Sequence, residues 1–156
     1  MTKQRPLTLE NFIPYRLSVA SNLVSDVISS AYRSLFGLTV PEWRLVTVLA
    51  DREQASQIEL GAATRMDKVT VSRAAIALVN RGLVVRASNP RDKRSHLLCL
   101  SPSGNQLYGE VAPKALALER ELLSTFSAEE RKSLAAMLVR LEQAAMQVSG
   151  QAVSNA

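Results

Sequence analysis

Apolar residues recur at helical spacing through both ends of the chain. From about Leu9 to Leu35 they return every three or four positions for about seven turns, which predicts one long helix. A second apolar set on this segment makes the stripe wider than one packing partner covers, so part of it should meet another subunit. Helical spacing resumes after Ser101. We therefore interpret residues 9–36 and 101–148 as dimerisation helices.

Short polar signals mark helix starts in the centre of the chain. Thr39, Ser56 and, further along the chain, Ser127 are each followed three residues later by a glutamate, the capping-box pattern in which two side chains satisfy free N–H groups at a helix start. A third central helix is expected to begin after Asp67, whose carboxylate can accept backbone N–H groups of the first turn. The order of short helix, tight turn and helix predicts a helix-turn-helix.

The segment from Asp67 to Asn80 is the candidate recognition helix. Val71, Ala75, Leu78 and Val79 fall on one buried stripe. The polar residues off that stripe lie near the helix start and are Lys68, Thr70, Ser72 and Arg73. This end of a helix in the major groove meets base edges and phosphates. Taken alone, the pattern fits an ordinary amphipathic helix equally well, and the hydroxyl groups could serve only as local caps.

Two runs of apolar and β-branched residues, 83–88 and 95–100, flank a turn signal at 89–92. They predict a β-hairpin whose tip carries Arg91, Lys93 and Arg94. A helix-turn-helix followed by a hairpin with a basic tip is a winged helix. The expected fold is mainly α with a small β-hairpin wing, with residues 39–100 forming the winged lobe between the long helices.

The net charge of +5 is concentrated in one segment. Residues 65–96 hold eight basic and two acidic residues, a net +6, whereas the other 124 residues hold 11 basic and 12 acidic residues, a net −1. A segregated basic block indicates a polyanionic partner, either nucleic acid or anionic lipid. Lipid is the weaker choice because the block lacks large apolar residues to anchor an interfacial helix.

Several classes of protein are not expected. With one cysteine, Cys99, and one histidine, His96, neither a disulfide framework nor a Cys/His zinc cluster can form, so no metal or cofactor is predicted. Cys99 is interpreted as a small buried hydrophobe. His96 and its neighbour Ser95 point to opposite faces of a strand and lack a second catalytic group, so we do not expect an enzyme.

The sequence also predicts a cytoplasmic protein without a membrane segment. No uncharged apolar run approaches the ~18 residues that span a bilayer. The first six residues, MTKQRP, contain no apolar signal region.

The residues of the wing resemble those of the MarR family of bacterial transcriptional regulators. The family signature is D-x-R, five residues, and then L-T-x-x-G. Here it is met by Asp92, Arg94, Leu100, Ser101 and Gly104, with Ser101 in place of threonine. Both hydroxyl side chains can cap a helix, so this departure should not alter the fold. The order of the other elements is also similar to the family's over nearly the whole chain.

The resemblance implies a homodimer that binds a pseudo-palindromic DNA operator. It implies that Arg94 enters the minor groove, where a narrow groove strengthens the negative potential, and that Asp92 orients this arginine. It also implies that Thr70, Ser72 and Arg73 contact bases and phosphates. Lys68, Arg86, Arg91 and Lys93 complete the predicted DNA-binding set, and Arg81 is expected to face phosphate or solvent.

Family members often bind small aromatic or anionic effectors, which the resemblance implies as possible partners here. Phe12, Arg16 and Trp43 are the candidate effector residues, although aromatic side chains would gather in the core and dimer interface in any case. We therefore expect a transcriptional repressor that such an effector releases from its operator. The alternative is an architectural DNA-binding dimer without ligand control.

Overall fold

The computed structural model describes residues 7–154. The first six residues, expected to lack a signal segment, lie outside this range. The chain divides into two compact units, and the boundary follows Ala115. No helix in the described range is long and apolar enough to cross a membrane.

The described residues form helices and one small sheet. The helices are a short 3-10 helix (Leu9–Asn11), α1 (Ile13–Phe36), α2 (Val40–Arg52), α3 (Gln57–Thr64), α4 (Lys68–Asn80), α5 (Pro102–Leu122) and α6 (Ala128–Ser154). The strands are β1 (Gln54–Ser56), β2 (Val84–Ser88) and β3 (His96–Leu100). The predicted fold class, mainly α with a β-hairpin wing, is confirmed.

The two terminal helices differ from the prediction at their outer ends. The first helix begins at Ile13 rather than near Leu9, because Phe12 is extended and Pro14 occupies the first turn. The last helix continues beyond residue 148 to Ser154. Gly150 lies inside it, since a single glycine weakens a helix without necessarily ending it.

The predicted helix caps are present. In the box before α2, the hydroxyl of Thr39 accepts the N–H of Glu42 at 3.3 Å, and the carboxylate of Glu42 accepts the N–H of Thr39 at 2.8 Å. The same reciprocal pair joins Ser56 to Glu59 and Ser127 to Glu130. These bonds define where α2, α3 and α6 begin.

A third strand, which the sequence did not predict, joins the hairpin. The sheet order is β1-β3-β2, and both pairings are antiparallel. Ala55 of β1 lies opposite Leu98 of β3, and both side chains are buried. The base of the wing is therefore attached to the segment that leads into α3.

One apolar core holds α4 in place. Its largest fully buried side chains come from the α1–α2 connection, α2, α3, α4, the sheet and α5, and include Leu45, Leu49, Leu60, Leu78 and Leu98. Val71, Ala75 and Leu78 form the predicted inward stripe of α4. Val79 is only half-buried, at the edge of this core.

The residues that match the end of the wing signature connect α4 to α5. The hydroxyl of Ser101 donates to the carbonyl of Gly82 at 2.6 Å and accepts the N–H of Gly104 at 3.0 Å. The N–H of Ser101 donates to the carbonyl of Leu83 at 3.0 Å. Gly104 packs so closely on that carbonyl that a Cβ atom would overlap it. A glycine is therefore required where α5 starts.

Candidate nucleic-acid interface

The start of α4 is set by the side chain of Asp67. Its carboxylate accepts the backbone N–H of Thr70 at 2.9 Å and the hydroxyl of Thr70 at 2.6 Å. These two bonds hold the pKa of Asp67 below its ordinary value, and the bond from the hydroxyl of Thr70 makes the larger contribution. The hydroxyl of Thr70 thus serves as a local cap, and its donor is not free for a base or a phosphate.

The outer surface of α4 carries the predicted basic residues. Lys68 and Arg73 are exposed, whereas Thr70 and Ser72 are half-buried. Opposite them, Val71, Ala74, Ala75 and Leu78 are buried. The first turns of α4 are therefore accessible to a ligand on one face, while the opposite face of the helix packs on the core.

The end of α4 is fixed by a glycine and an arginine. Gly82 has φ +70°, and the N–H of Leu83 donates to the carbonyl of Leu78 at 3.0 Å, which ends the helix in a left-handed turn. Arg81, expected to face phosphate or solvent, is exposed, and its guanidinium donates to the carbonyl of Gly37 at 2.9 Å. Its guanidinium also lies 3.8 Å from the carboxylate of Glu42. Arg81 is thus open to solvent, as predicted, and in addition its side chain joins α4 to the α1–α2 connection.

The tip of the wing is ordered by short polar side chains. The amide of Asn89 donates to the hydroxyl of Ser95 at 2.8 Å, across the base of the turn. Its carbonyl oxygen accepts the N–H of Arg91 at 3.0 Å. The N–H of Ser95 donates to the carbonyl of Asp92 at 3.1 Å. The turn is therefore held by bonds from its own side chains and backbone.

Asp92 acts on the backbone of the tip rather than on the guanidinium of Arg94. Its carboxylate accepts the N–H of Arg94 at 3.0 Å. In the described part of the chain no ion pair joins these two side chains. The expectation that Asp92 orients Arg94 side chain to side chain needs this correction, because a carboxylate two residues away reaches the nearer amide first.

The basic side chains of the wing are open to solvent. Arg86, Arg91, Lys93 and Arg94 are all exposed. An acidic residue that the sequence did not associate with the wing, Glu59, is influenced by one of them, Arg91. The hydrogen bond from the N–H of Ser56 is the main cause of a lowered pKa of Glu59, and the positive charges of Arg52 and Arg91 lower it further. The third strand explains this proximity, since β1 brings the start of α3 beside the wing.

The predicted effector residues do not meet within one protomer. Phe12 is 41% exposed and Arg16 is also exposed, at the start of α1. Trp43 is 7% exposed and contacts Tyr32 and Tyr108, with ring centroids 5.7 and 5.8 Å apart. Arg16 and Tyr32 are separated by roughly 24 Å of helix. One subunit alone therefore does not bring the three residues together, because α1 is a straight helix that keeps its two ends apart, and their role in effector binding stays a prediction.

A cavity of about 280 Å³ lies elsewhere, in the second unit. It is bordered by the end of α5, the start of α6 and the turn between them, and its lining residues are Glu119, Arg120, Leu123, Arg131, Leu134, Ala135 and Leu138. None of the three predicted effector residues lines it.

Cys99 is half-buried rather than buried. It faces Val85 and Gln54 across the sheet, while its neighbour Leu98 points into the core. The thiol lies 3.9 Å from the carbonyl of Val85. The prediction of a buried side chain assigned Cys99 to the wrong face of the strand.

Two exposed apolar residues of α4 were missed by the sequence analysis. Val69 is 56% exposed and Ile76 is 45% exposed. With Arg73 they occupy positions i, i+4 and i+7, which share one face of a helix. This spacing is readable from the sequence, in which Val69 and Ile76 lie off the stripe of Val71, Ala75, Leu78 and Val79.

Comparison with known proteins supports a single family. A protein-family model described as "MarR family" matches residues 36–95. The transcriptional regulator HosA of Escherichia coli O157:H7 is 31% identical over 103 residues, covering 66% of this chain and 76% of HosA.

Two further similarities cover more of the chain. The uncharacterised helix-turn-helix regulator YdgJ of Bacillus subtilis is 28% identical over 118 residues, covering 76% of this chain and 72% of YdgJ. A MarR/EmrR family transcriptional regulator from Acinetobacter sp. ADP1 superimposes with a TM-score of 0.81 at 25% identity. That similarity covers 90% of this chain and 99% of the other.

Proposed function

The chain belongs to the MarR family of winged-helix, DNA-binding transcriptional regulators, and we propose that it is a homodimeric repressor that a small molecule releases from a pseudo-palindromic operator. The observation that carries the DNA-binding part is the exposure of basic side chains on two elements of one unit. Lys68 and Arg73 extend from the start of α4, and Arg91 and Arg94 extend from the wing. A helix start suits the major groove, and an arginine at a hairpin tip suits a narrow minor groove.

The dimer is supported by apolar surface on the long helices. Within α1, large exposed apolar side chains include Ile13, Leu23, Val24, Val27 and Leu35. Within α6 they include Met137, Val139, Leu141, Met146 and Val148. Soluble monomers rarely expose contiguous apolar patches of this kind, and an obligate interface of ~2,000 Å² would cover them. Sedimentation equilibrium at micromolar concentration should detect dimers only, and a folded monomer would contradict the proposal.

Release by an effector is the second part of the proposal. A cleft that contains Phe12, Arg16 and Trp43 together requires a second subunit to bring its α1 beside Trp43, since one protomer keeps them apart. Trp43 stacks on Tyr108 and its indole is nearly buried, so an aromatic ligand would extend an existing aromatic group.

The test begins by selecting a preferred duplex from a random library with the full-length protein. Fluorescence anisotropy then compares that duplex with a random one over a salt series, and a panel of small aromatic carboxylates is titrated into the complex. A repressor of this kind should prefer the selected duplex by at least ~10³-fold and should release it when an effector binds. Absence of any sequence preference would refute the proposal. Preference without release by any ligand would favour the architectural dimer.

A further inference from the structure

The exposed face of α4 contains apolar side chains that the core does not use. Val69 and Ile76 lie on the same face as Arg73, pointing away from the buried stripe of Val71 and Leu78. Neither belongs to the buried core or to the half-buried residues that pack against it. Packing within the described residues therefore does not account for these side chains.

Helix formation does not account for Val69 either. A β-branched residue loses side-chain freedom in a helix and is a poorer helix former than alanine. At the second position of α4 this disadvantage comes without compensating burial, because 56% of the side chain remains exposed. A ligand that covers the residue would supply the missing contact.

The neighbours of Val69 define the chemistry of that ligand. Lys68 precedes it and Arg73 follows one turn later, both exposed, so the surrounding surface suits a polyanion. The hydroxyl of Thr70 is bound to Asp67 at 2.6 Å, which removes the nearest neutral donor. Among the groups that base pairs present in the major groove, the thymine C5-methyl is the apolar one.

We propose that Val69 is a specificity-determining residue that contacts the C5-methyl group of a thymine in the operator. This inference rests on the proposed function. Val69 is favoured over Ile76 because the first turn of a recognition helix approaches the base edges, whereas Ile76 lies roughly 10 Å further along the axis. Lys68 holds the helix in the groove, Arg73 reaches a base edge one turn further on, and Val69 distinguishes thymine from cytosine, which lacks the methyl group.

The test replaces each thymine of the selected duplex in turn by deoxyuridine, which removes only the C5-methyl group. With the parent protein, one position in each half-site should lose about fourfold in affinity, the effect of one buried methyl group. Val69→Ala should bind the unmodified duplex more weakly by a similar factor and should be insensitive to uracil at that position. Val69→Thr keeps the branched shape but exchanges a methyl group for a hydroxyl. Its affinity for the unmodified duplex should lie between those of the parent and Val69→Ala.

The matched control is Val85→Ala, which makes the same truncation at an exposed position of β2 and should keep the full uracil effect. Circular dichroism melting establishes that each variant is folded. If the selected duplex shows no uracil effect with the parent, or the same effect with Val69→Ala, the inference is overturned while the proposed function stands. If the protein selects no preferred sequence at all, the proposed function itself fails.

Discussion

The carboxylate of Asp92 accepts the backbone N–H of Arg94 at 3.0 Å, so the acid shapes the wing through the main chain. The side chain of Arg94 leaves this turn exposed to solvent. The two residues of the family signature therefore have separate tasks, because one fixes the direction of the backbone and the other is available to DNA. Substitutions at the two positions should have different consequences.

At Asp92, the acceptor oxygen should matter more than the charge. Asp92→Asn keeps an oxygen that can accept the N–H of Arg94, whereas Asp92→Ala removes it and should weaken operator binding by ~1 kcal/mol, the usual contribution of one such bond. Removing the negative charge should also raise the affinity of Asp92→Asn for random duplex. Anisotropy titrations of both variants provide the measurement. Equal losses for the two would indicate that the charge orients the arginine directly.

At Arg94, the shape of the cation should matter. A guanidinium in a narrow minor groove makes directed bonds that an ammonium group cannot reproduce, so Arg94→Lys should lose ~1–2 kcal/mol on the operator while keeping most of its affinity for random duplex. Arg91→Lys is the matched control at the same tip and should change neither affinity by more than a few tenths of a kcal/mol. If Arg94→Lys binds the operator like the parent, the arginine is only a counter-charge for phosphate.

Arg73 and Arg86 should separate base reading from phosphate contact. Arg73 is exposed in the second turn of α4, where a side chain can reach a base edge, so Arg73→Ala should cost ~1–3 kcal/mol on the operator and relax the preference at one position. Arg86→Ala, on β2, should weaken all duplexes alike and reduce the salt dependence. A repeated sequence selection with each variant gives the readout, and an unchanged preference with Arg73→Ala would contradict the assignment.

Gly104 and Gly109 offer a matched pair in one helix. A Cβ at Gly104 would overlap the carbonyl of Leu83, whereas a Cβ at Gly109 meets nothing within 4 Å. Gly104→Ala should therefore lower the free energy of unfolding by ~1–3 kcal/mol through overpacking. Gly109→Ala should raise it by ~0.5–1 kcal/mol, since alanine is the better helix former. Urea unfolding tests both variants, and similar stabilities would show that the start of α5 can shift.

The cap at Asp67 should make stability depend on pH in the acid range. Its pKa is lowered in the folded state by the bonds from Thr70, so its contribution is fully present above the ordinary aspartate value of about 3.9. The contribution is lost as the pH falls toward the lowered value. Asp67→Asn retains a capping oxygen but does not titrate, so the parent should lose its stability advantage over this variant on acidification. Urea unfolding at neutral and acid pH measures the free energy of unfolding of both proteins. If the difference between the two proteins does not change with pH, titration of Asp67 does not contribute to the acid sensitivity.

The sequence by itself determined the features that depend on neighbouring residues. Capping pairs such as Thr39 with Glu42 act across one helical turn, so three helix starts were readable from spacing alone. Asp67 caps the start of α4 and Gly82 follows its end with a positive φ, and both effects also involve only neighbouring residues. The hairpin and the family follow from the order of these elements and from the signature at 92–104. The DNA contacts of Lys68, Ser72 and the wing remain predictions.

Only the tertiary structure decided which distant residues meet. A strand of three residues such as β1 is too short to carry a periodic pattern, and it forms because Ala55 is buried opposite Leu98. The bond from Arg81 to Gly37 joins residues 44 positions apart. Arg16 and Trp43 remain apart because a helix is stiff over many turns. Such relations depend on how packed segments place their backbones in space, which the period of a sequence pattern does not encode.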